Sequence, residues 1–571
     1  MKYKKCCMRS RRQRRRARGK VSTPTRRVPG FQLVPVDGLS LYRPSRAIER
    51  AFDEDLRAHL RGLGLPAGTY SGSDANRIAQ AAYQFSSMVF ENELRKLASR
   101  DAAQFVLEQL GQWTEAISRA HAGSLAAKDE AFIMEHVANM RLAAMYVLEA
   151  MVRVEPPQVV SAKEIPNRTD LLFSAVESMI TASMYSTLAH GVAPDAVEVH
   201  LDIDSADNFL HLGQREPYRT RMDTFRDRRL RARQQYPHLI VPAEPRQVLD
   251  ALDPVFSEAL GFSLSQALGC LKMATESYRN VEPGFDVAFV LESKVYQGLA
   301  HNCGLDEEAV RRAMGGLVLT TELLTDHPRE LWRPKRHARA LRRPFLRLPH
   351  DLGPHLCWKN EFVLAAGEYI LQELCFGQVP PEWQTQETTA AAKALSQSLD
   401  SAWEEQVYDE LGQHLGLVGE KNVLKIADGS GGYLRMDSDD RPGELDGLFW
   451  DPSASVLLVV EVKRTRPSYS PPQYRDDVAK YISGDKSYTN KHAKKVAWVE
   501  ANVDLVHSHL AGLGHAVPGA DELAAVRGLV VTKYENFVQV LDTPHPVLSL
   551  AAVLEEHNSN GRIPYRSPPK T

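Results

Sequence analysis

Apolar residues recur at helical spacing through much of the first two-thirds of the chain. Ile48, Phe52, Leu56 and Leu60 form one stripe that ends at Gly62, and residues 75–98, 101–122 and 128–154 give longer amphipathic stretches closed by Pro156-Pro157. From Ser45 to Leu374 the chain therefore reads as successive helices. No residue-level repeat accompanies them, so an irregular α-domain is expected rather than a solenoid. Two segments break the pattern. Val197, Val199, Leu201 and Ile203 alternate with Glu198, His200, Asp202 and Asp204, as in an exposed strand. Phe345 to Trp358 reads as a hairpin leading into a helix over Asn360 to Leu374, and Pro380-Pro381 marks a linker near residue 385.

Beyond that linker the pattern changes. Leu395, Leu399, Trp403, Val407, Leu411 and Leu415 recur at helical spacing within 389–415, with Gly416 placed as a C-terminal cap. Leu445 to Trp450 is a short strand, Asp451-Pro452-Ser453-Ala454-Ser455 supplies turn chemistry, and Val456 to Lys463 is an apolar run ending in charge, so the segment predicts a hairpin. Val456 to Val460 is apolar at both parities, as in a strand buried on both faces. Pro471-Pro472 starts a helix with Tyr474, Val478 and Ile482 on its buried side. A strand-like Val496 to Val499, a helical Val503 to Leu510 and strands at Leu529 to Thr532 and Phe537 to Leu541 follow. The expected fold is an α-helical N-terminal region joined to a C-terminal α/β domain, whose central mixed β-sheet is flanked by helices.

The hairpin carries the candidate chemistry. It sets Asp446 roughly opposite Val459 to Glu461, where facing or diagonal Cβ atoms lie about 5 to 8 Å apart, so Asp446 and Glu461 can share a cation. Glu461 and Lys463 point to one face of their strand and Val462 to the other. Glu-x-Lys alone also describes an ordinary charged strand end. What distinguishes this one is the hairpin, the doubly apolar strand and the acidic helix before it. An Asp, a hairpin spacer and Glu-x-Lys closing an apolar strand is similar to the PD-(D/E)XK nuclease superfamily, the restriction-endonuclease-like fold, over the C-terminal domain only. Leu445-Asp446 stands where the family's naming Pro-Asp pair would be.

The resemblance implies hydrolysis of nucleic-acid phosphodiester bonds, as an endonuclease or exonuclease. It implies that Asp446, Glu461 and the Val462 carbonyl hold Mg²⁺, with Mn²⁺ able to substitute, and that Lys463 orients or deprotonates the attacking water. It also implies an acid on the preceding helix, with Glu404 first and Glu405 as the fallback. Gln473 and Lys480 are expected to face the site, and Lys491, Lys494 and Lys495 to contact phosphate, where such contacts dominate affinity. The alternative is a catalytically silent nuclease-fold scaffold that binds nucleic acid or protein.

Composition adds limits. The chain has 571 residues and a formal net charge of −2, so any nucleic-acid surface must concentrate its positive charge locally. Met1 to Arg27 is rich in Lys and Arg and holds no acid, and 1–30 reads as a disordered basic arm. Residues 31–385 form the helical region, 386–550 the nuclease-like domain and 551–571 a polar tail. Arg219 to Arg233, with acids interspersed, reads as a solvated, salt-bridged helix. Arg333 to Arg343 is purer in sign and is the preferred nucleic-acid contact of the two. No secretory signal or bilayer-length apolar run is present. Six cysteines without a CxxC pair point to a reducing cytoplasm. The expected partner is nucleic acid, DNA ahead of RNA, with no membrane and with a homodimer or a protein partner formed through the helical region.

Overall fold

Helical periodicity and sheet alternation both persist in three dimensions, but they interleave more than the sequence pattern suggests. The computed structural model describes residues 32–36, 38–121, 133, 138–155, 160–161, 164–205, 208–239, 245–277, 287–324, 331, 339–428, 430–438, 441–467, 471–517 and 522–564. The basic arm and Pro156-Pro157 lie outside these residues. The described chain is mostly helical, with several sheets set among the helices.

A small antiparallel hairpin, β1 (Gln32–Val36) and β2 (Leu39–Arg43), precedes α1 (Arg46–Gly62). Phe52, Leu56 and Leu60 are buried, as their spacing predicts. Strand β3 (Gly68–Tyr70) leads into α2 (Gly72–Leu97), α3 (Arg100–His121), α4 (Ala138–Arg153) and α5 (Ile165–Ser186), which share one core. The alternating segment is β4 (Val197–Leu201). It is not an exposed strand: it lies between β3 and β5 (Leu210–Gln214), and Val197, Val199 and Leu201 are buried.

The arginine-rich helix α6 (Tyr218–Gln235) is salt-bridged, as expected, but to distant partners. Arg221 meets Asp542 at 2.9 Å, Arg228 meets Glu556 at 3.8 Å, and Arg231 meets Glu555. These contacts dock α6 onto the C-terminal part. Helices α7 (Pro245–Leu260) and α8 (Leu264–Ser277), strand β6 (Val287–Leu291), α9 (Glu292–Cys303), α10 (Glu307–Gly315) and β7 (Val318–Leu319) build the second core. The expected hairpin follows as β8 (Phe345–Leu348) and β9 (His355–Lys359), inside a sheet of order β6-β9-β8-β7, and then α11 (Asn360–Leu374). The described arginines of the second basic cluster are spent inside the protein. Arg343 is 1% exposed and bonds Glu382 at 2.6 Å and two backbone carbonyls, Arg342 pairs with Glu373, and Arg339 pairs with Glu149 at 3.0 Å. They are therefore not a nucleic-acid surface, because burial with carboxylates neutralises them; Arg333 to His337 lie outside the described residues.

Helix α12 (Gln386–Leu415) opens with a Thr385/Thr388 capping box and ends at Gly416, whose φ of 65° suits a residue without Cβ. Its first half buries Ala392 and Leu395 in the second core, and its second half buries Trp403, Val407, Leu411 and Leu415 against the C-terminal sheet. That sheet has the order β10 (Val418–Val423), β13 (Leu445–Asp451), β14 (Val456–Lys463), β15 (Ala525–Thr532), β16 (Val547–Ser549); a small β11 (Lys425–Ala427) and β12 (Tyr433–Arg435) pair precedes β13. The β10–β13 and β13–β14 pairs are antiparallel, whereas the β14–β15 and β15–β16 pairs are parallel, so the sheet is mixed. The Asp451 carboxylate accepts from Ser453 and Ala454 backbone N–H groups at 2.9 and 3.3 Å, which closes the β13–β14 turn.

Leu458, Val460 and Val462 face α12 and α16 (Leu550–Asn560). Leu457 and Val459 face α14 (Tyr488–Ala501) and α15 (Val503–Gly512), with α13 (Pro471–Tyr481) leading into that layer. Three expectations fail here. Val496 to Val499 lies within α14, because only its Val496 and Val499 side is buried. Phe537–Val540 is a 3-10 turn, and the fifth strand is Val547–Ser549. Residues 551–560 are not a polar tail: Ala551, Ala552, Val553 and Leu554 are buried under the sheet.

Candidate active site

The apolar β14 is pinned between β13 and β15 and ends with charged side chains at the sheet's rim. The β13–β14 register pairs Gly447 with Val460, and one step further along sets Asp446 opposite Glu461. Asp446 Oδ2 accepts from the Val462 backbone N–H at 2.8 Å, so the backbone fixes the first carboxylate relative to the second. Lys463 Nζ then lies 3.0 Å from Asp446 Oδ2, 2.7 Å from Glu461 Oε1 and 2.8 Å from the Val462 carbonyl oxygen. Three oxygens from three residues converge on one cationic atom. Burial alone would push the Lys463 ammonium down, but the Glu461 and Asp446 carboxylates outweigh it and hold the group well above the ordinary lysine value.

A second lysine completes the cluster. Lys495, on α14, reaches Glu461 Oε2 at 2.5 Å and Asp446 Oδ1 at 3.5 Å, and is buried. Two carboxylates and two ammonium groups thus form a closed, charge-balanced set in which every carboxylate oxygen has a partner. Sequence reasoning placed Lys495 with Lys491 and Lys494 among phosphate contacts, because the three lie near the candidate site in sequence. The signal that would have found it is the spacing of Thr489, His492, Lys495, Val496 and Val499, all buried on one side of α14.

Of the two helix acids, Glu404 is the one beside the cluster. Burial pushes its carboxyl up, Asp446 adds to that and Lys463 opposes it. Glu405 is exposed and pairs with Lys421 at the surface. Lys480 is exposed on α13, Lys491 and Lys494 are exposed on α14, and Gln473 is partly buried on α13. None of these four has a hydrogen bond or ion pair to Asp446, Glu461 or Lys463 shown among the described residues.

Metal fit can be tested on the donor set. Among the described residues no group of three or more His, Cys, Asp or Glu could hold a metal ion. The available donors are two carboxylates and one backbone carbonyl, all oxygen, which suits a hard cation such as Mg²⁺ and not the nitrogen and sulfur ligation of zinc. The Lys463 ammonium already stands where those oxygens meet, so the cradle accommodates positive charge. Comparisons with protein-family models, with curated proteins and with solved structures give no match to this chain.

Proposed function

We propose that the protein is a divalent-metal-dependent nuclease whose C-terminal sheet domain is restriction-endonuclease-like. The observation that carries this reading is the convergence of Asp446, Glu461 and the Val462 carbonyl around one cationic atom at the end of β14. A bound Mg²⁺ would acidify a water and offset charge developing on a phosphate. Asp446 and Glu461 would hold that ion with the Val462 carbonyl. Lys463, which reaches both carboxylates and the Val462 carbonyl, would orient or deprotonate the attacking water, or stabilise the phosphate in the transition state. Glu404, with its raised carboxyl, stands ready to hold or hand on a proton at the same rim.

A second reading, a catalytically silent scaffold on the same fold, draws on the charge balance: with Lys463 and Lys495 in place the four side chains need no metal. The two readings separate in a cleavage assay with labelled single- and double-stranded DNA and RNA in Mg²⁺, Mn²⁺ or EDTA. Metal-dependent cutting that falls at least about a hundredfold in both Lys463→Ala and Asp446→Asn is expected for the nuclease. Folded wild type that binds nucleic acid as well as both variants do, and cuts none of it, would leave the scaffold.

A further inference from the structure

On the opposite face of the same strand ends lies a cavity of about 150 Å³, whose walls include Gln372, Phe376, Trp403, Gln406, Lys533 and Tyr534. Its position is set by the chain itself. Trp403 directly precedes Glu404 on α12, Arg464 directly follows Lys463, and the Lys533 backbone N–H donates to the Lys463 carbonyl at 3.3 Å. The cavity therefore adjoins two members of the candidate active site along the chain, while the side chains of Lys463 and Arg464 leave the strand on opposite faces.

The lining is chemically unusual for a packing defect. Arg464 is spent, bonded to Asp400 at 2.6 Å and to the Cys375 and Ser396 carbonyls, with its guanidinium on the Phe376 ring. Lys533 is not: among the described residues no carboxylate pairs with it, and its ammonium lies 5.6 and 5.9 Å from the centroids of the Trp403 and Tyr534 rings. Burial, then the neighbouring Arg464, pushes Lys533 below the ordinary lysine value, as expected for a cation lacking its anion. Neither the Gln372 nor the Gln406 carboxamide has a hydrogen-bond partner among the described residues. Trp403 Nε1 is buried without one, and buried indole N–H groups usually find a partner. A cavity of about this size takes up a single benzene-sized ring.

We propose that this cavity is a subsite for one unstacked nucleobase of the strand presented to Asp446, Glu461 and Lys463, with Lys533 against the adjoining phosphate. Phe376, Trp403 and Tyr534 give apolar walls for the body of a base, the carboxamides supply donors and acceptors for a base edge, and the unpaired ammonium supplies the counter-charge. The inference rests on the nuclease reading and sharpens it. A base held here must be out of its duplex, so the substrate class is single-stranded or locally unpaired nucleic acid.

The test separates binding from cutting. In EDTA, full-length protein is titrated against a fluorescent single strand, the matching duplex, and the same strand carrying abasic positions, using wild type, Lys533→Gln and Gln406→Ala. Melting temperatures serve as a check on folding. The proposal expects the single strand to bind at least about tenfold tighter than either the duplex or the abasic strand, and that preference to shrink in both variants. Equal affinity for all three probes, or variants indistinguishable from wild type, would overturn it. So would saturable binding of adenosine monophosphate with no strand preference, which would make the ligand a free nucleotide. Adding Mg²⁺ afterwards distinguishes the two claims. Cutting with no effect of abasic positions or of either variant removes the subsite and leaves the nuclease. The binding preference without any cutting supports the subsite and removes the nuclease.

Discussion

Replacing Lys495 with methionine tests whether the four-ion cluster is a metal cradle or a structural salt bridge. Lys495 is 7% exposed and joins both carboxylates, at 2.5 Å to Glu461 and 3.5 Å to Asp446. Methionine keeps most of the volume and removes the charge, leaving one buried negative charge uncompensated. Breaking one partner out of a buried ion pair costs about 3 to 5 kcal/mol. In a domain of about 200 residues, each kcal/mol moves the melting temperature by about 2 to 4 °C, so a fall of roughly 6 to 20 °C is expected in EDTA. Mg²⁺ should then return much of it. A neighbouring unit charge about 4 Å away is worth on the order of 4 kcal/mol at an effective dielectric near 20, so removing the competing ammonium tightens the cradle's hold on a cation. At a concentration about a hundred times its dissociation constant, the ion adds about 2.7 kcal/mol of stability. Melting curves of wild type and Lys495→Met, each in EDTA and in millimolar Mg²⁺, provide the comparison. A Mg²⁺-induced rise larger in the variant than in wild type supports the cradle. An equal deficit with and without Mg²⁺, or no deficit in EDTA, would refute the reasoning.

Glu404→Gln should lower metal-dependent cleavage by about a hundredfold while Glu405→Gln leaves it near wild type, since a positioned acid or base contributes on that scale and Glu405 is tied to Lys421 at the surface; steady-state rates on one substrate decide it. In the first core, burial and then Glu49 raise the Glu177 carboxyl from 4.5 to about 7. The folded state thus holds that proton more tightly than the unfolded chain, and stability is lost as pH rises from about 4.5 through 7. Glu177→Gln should flatten the decline by on the order of 2 to 3 kcal/mol, read from urea melts at pH 5 and pH 8, and an unchanged decline would count against this assignment.

The hairpin was legible because its signals agree: a doubly apolar strand, an Asp-rooted turn and a charged terminus each report the same local geometry. The α12 helix was legible for the same reason; the preference for Glu404 came from the resemblance, and its carboxyl lies where Asp446 and Lys463 act on it. Where the reading failed, long-range packing decided the outcome. Val496 to Val499 has the side chains of a strand, yet α14 wins because Val496 and Val499 together with Lys495 and His492 meet the sheet on one side. The three residues of β16 are too short to carry an alternation. Arginines of both basic clusters could not be matched to Glu149, Glu373 or Glu555 from sequence, since those partners lie far along the chain. The cavity beside Lys533 is likewise assembled from segments remote from one another in sequence.

Helix α12 has a consequence for how the molecule could be divided. At about 1.5 Å per residue its thirty residues span roughly 45 Å, and it is a shared beam rather than a tether. A cut at residue 385 would strip the helical region of Ala392 and Leu395 and leave those side chains bare on the other fragment. Glu404 and Trp403 sit on the part of the beam that touches the sheet, so any shift of the helical region against its own end of α12 is delivered, through a rigid rod, to the rim where Asp446 and Glu461 meet.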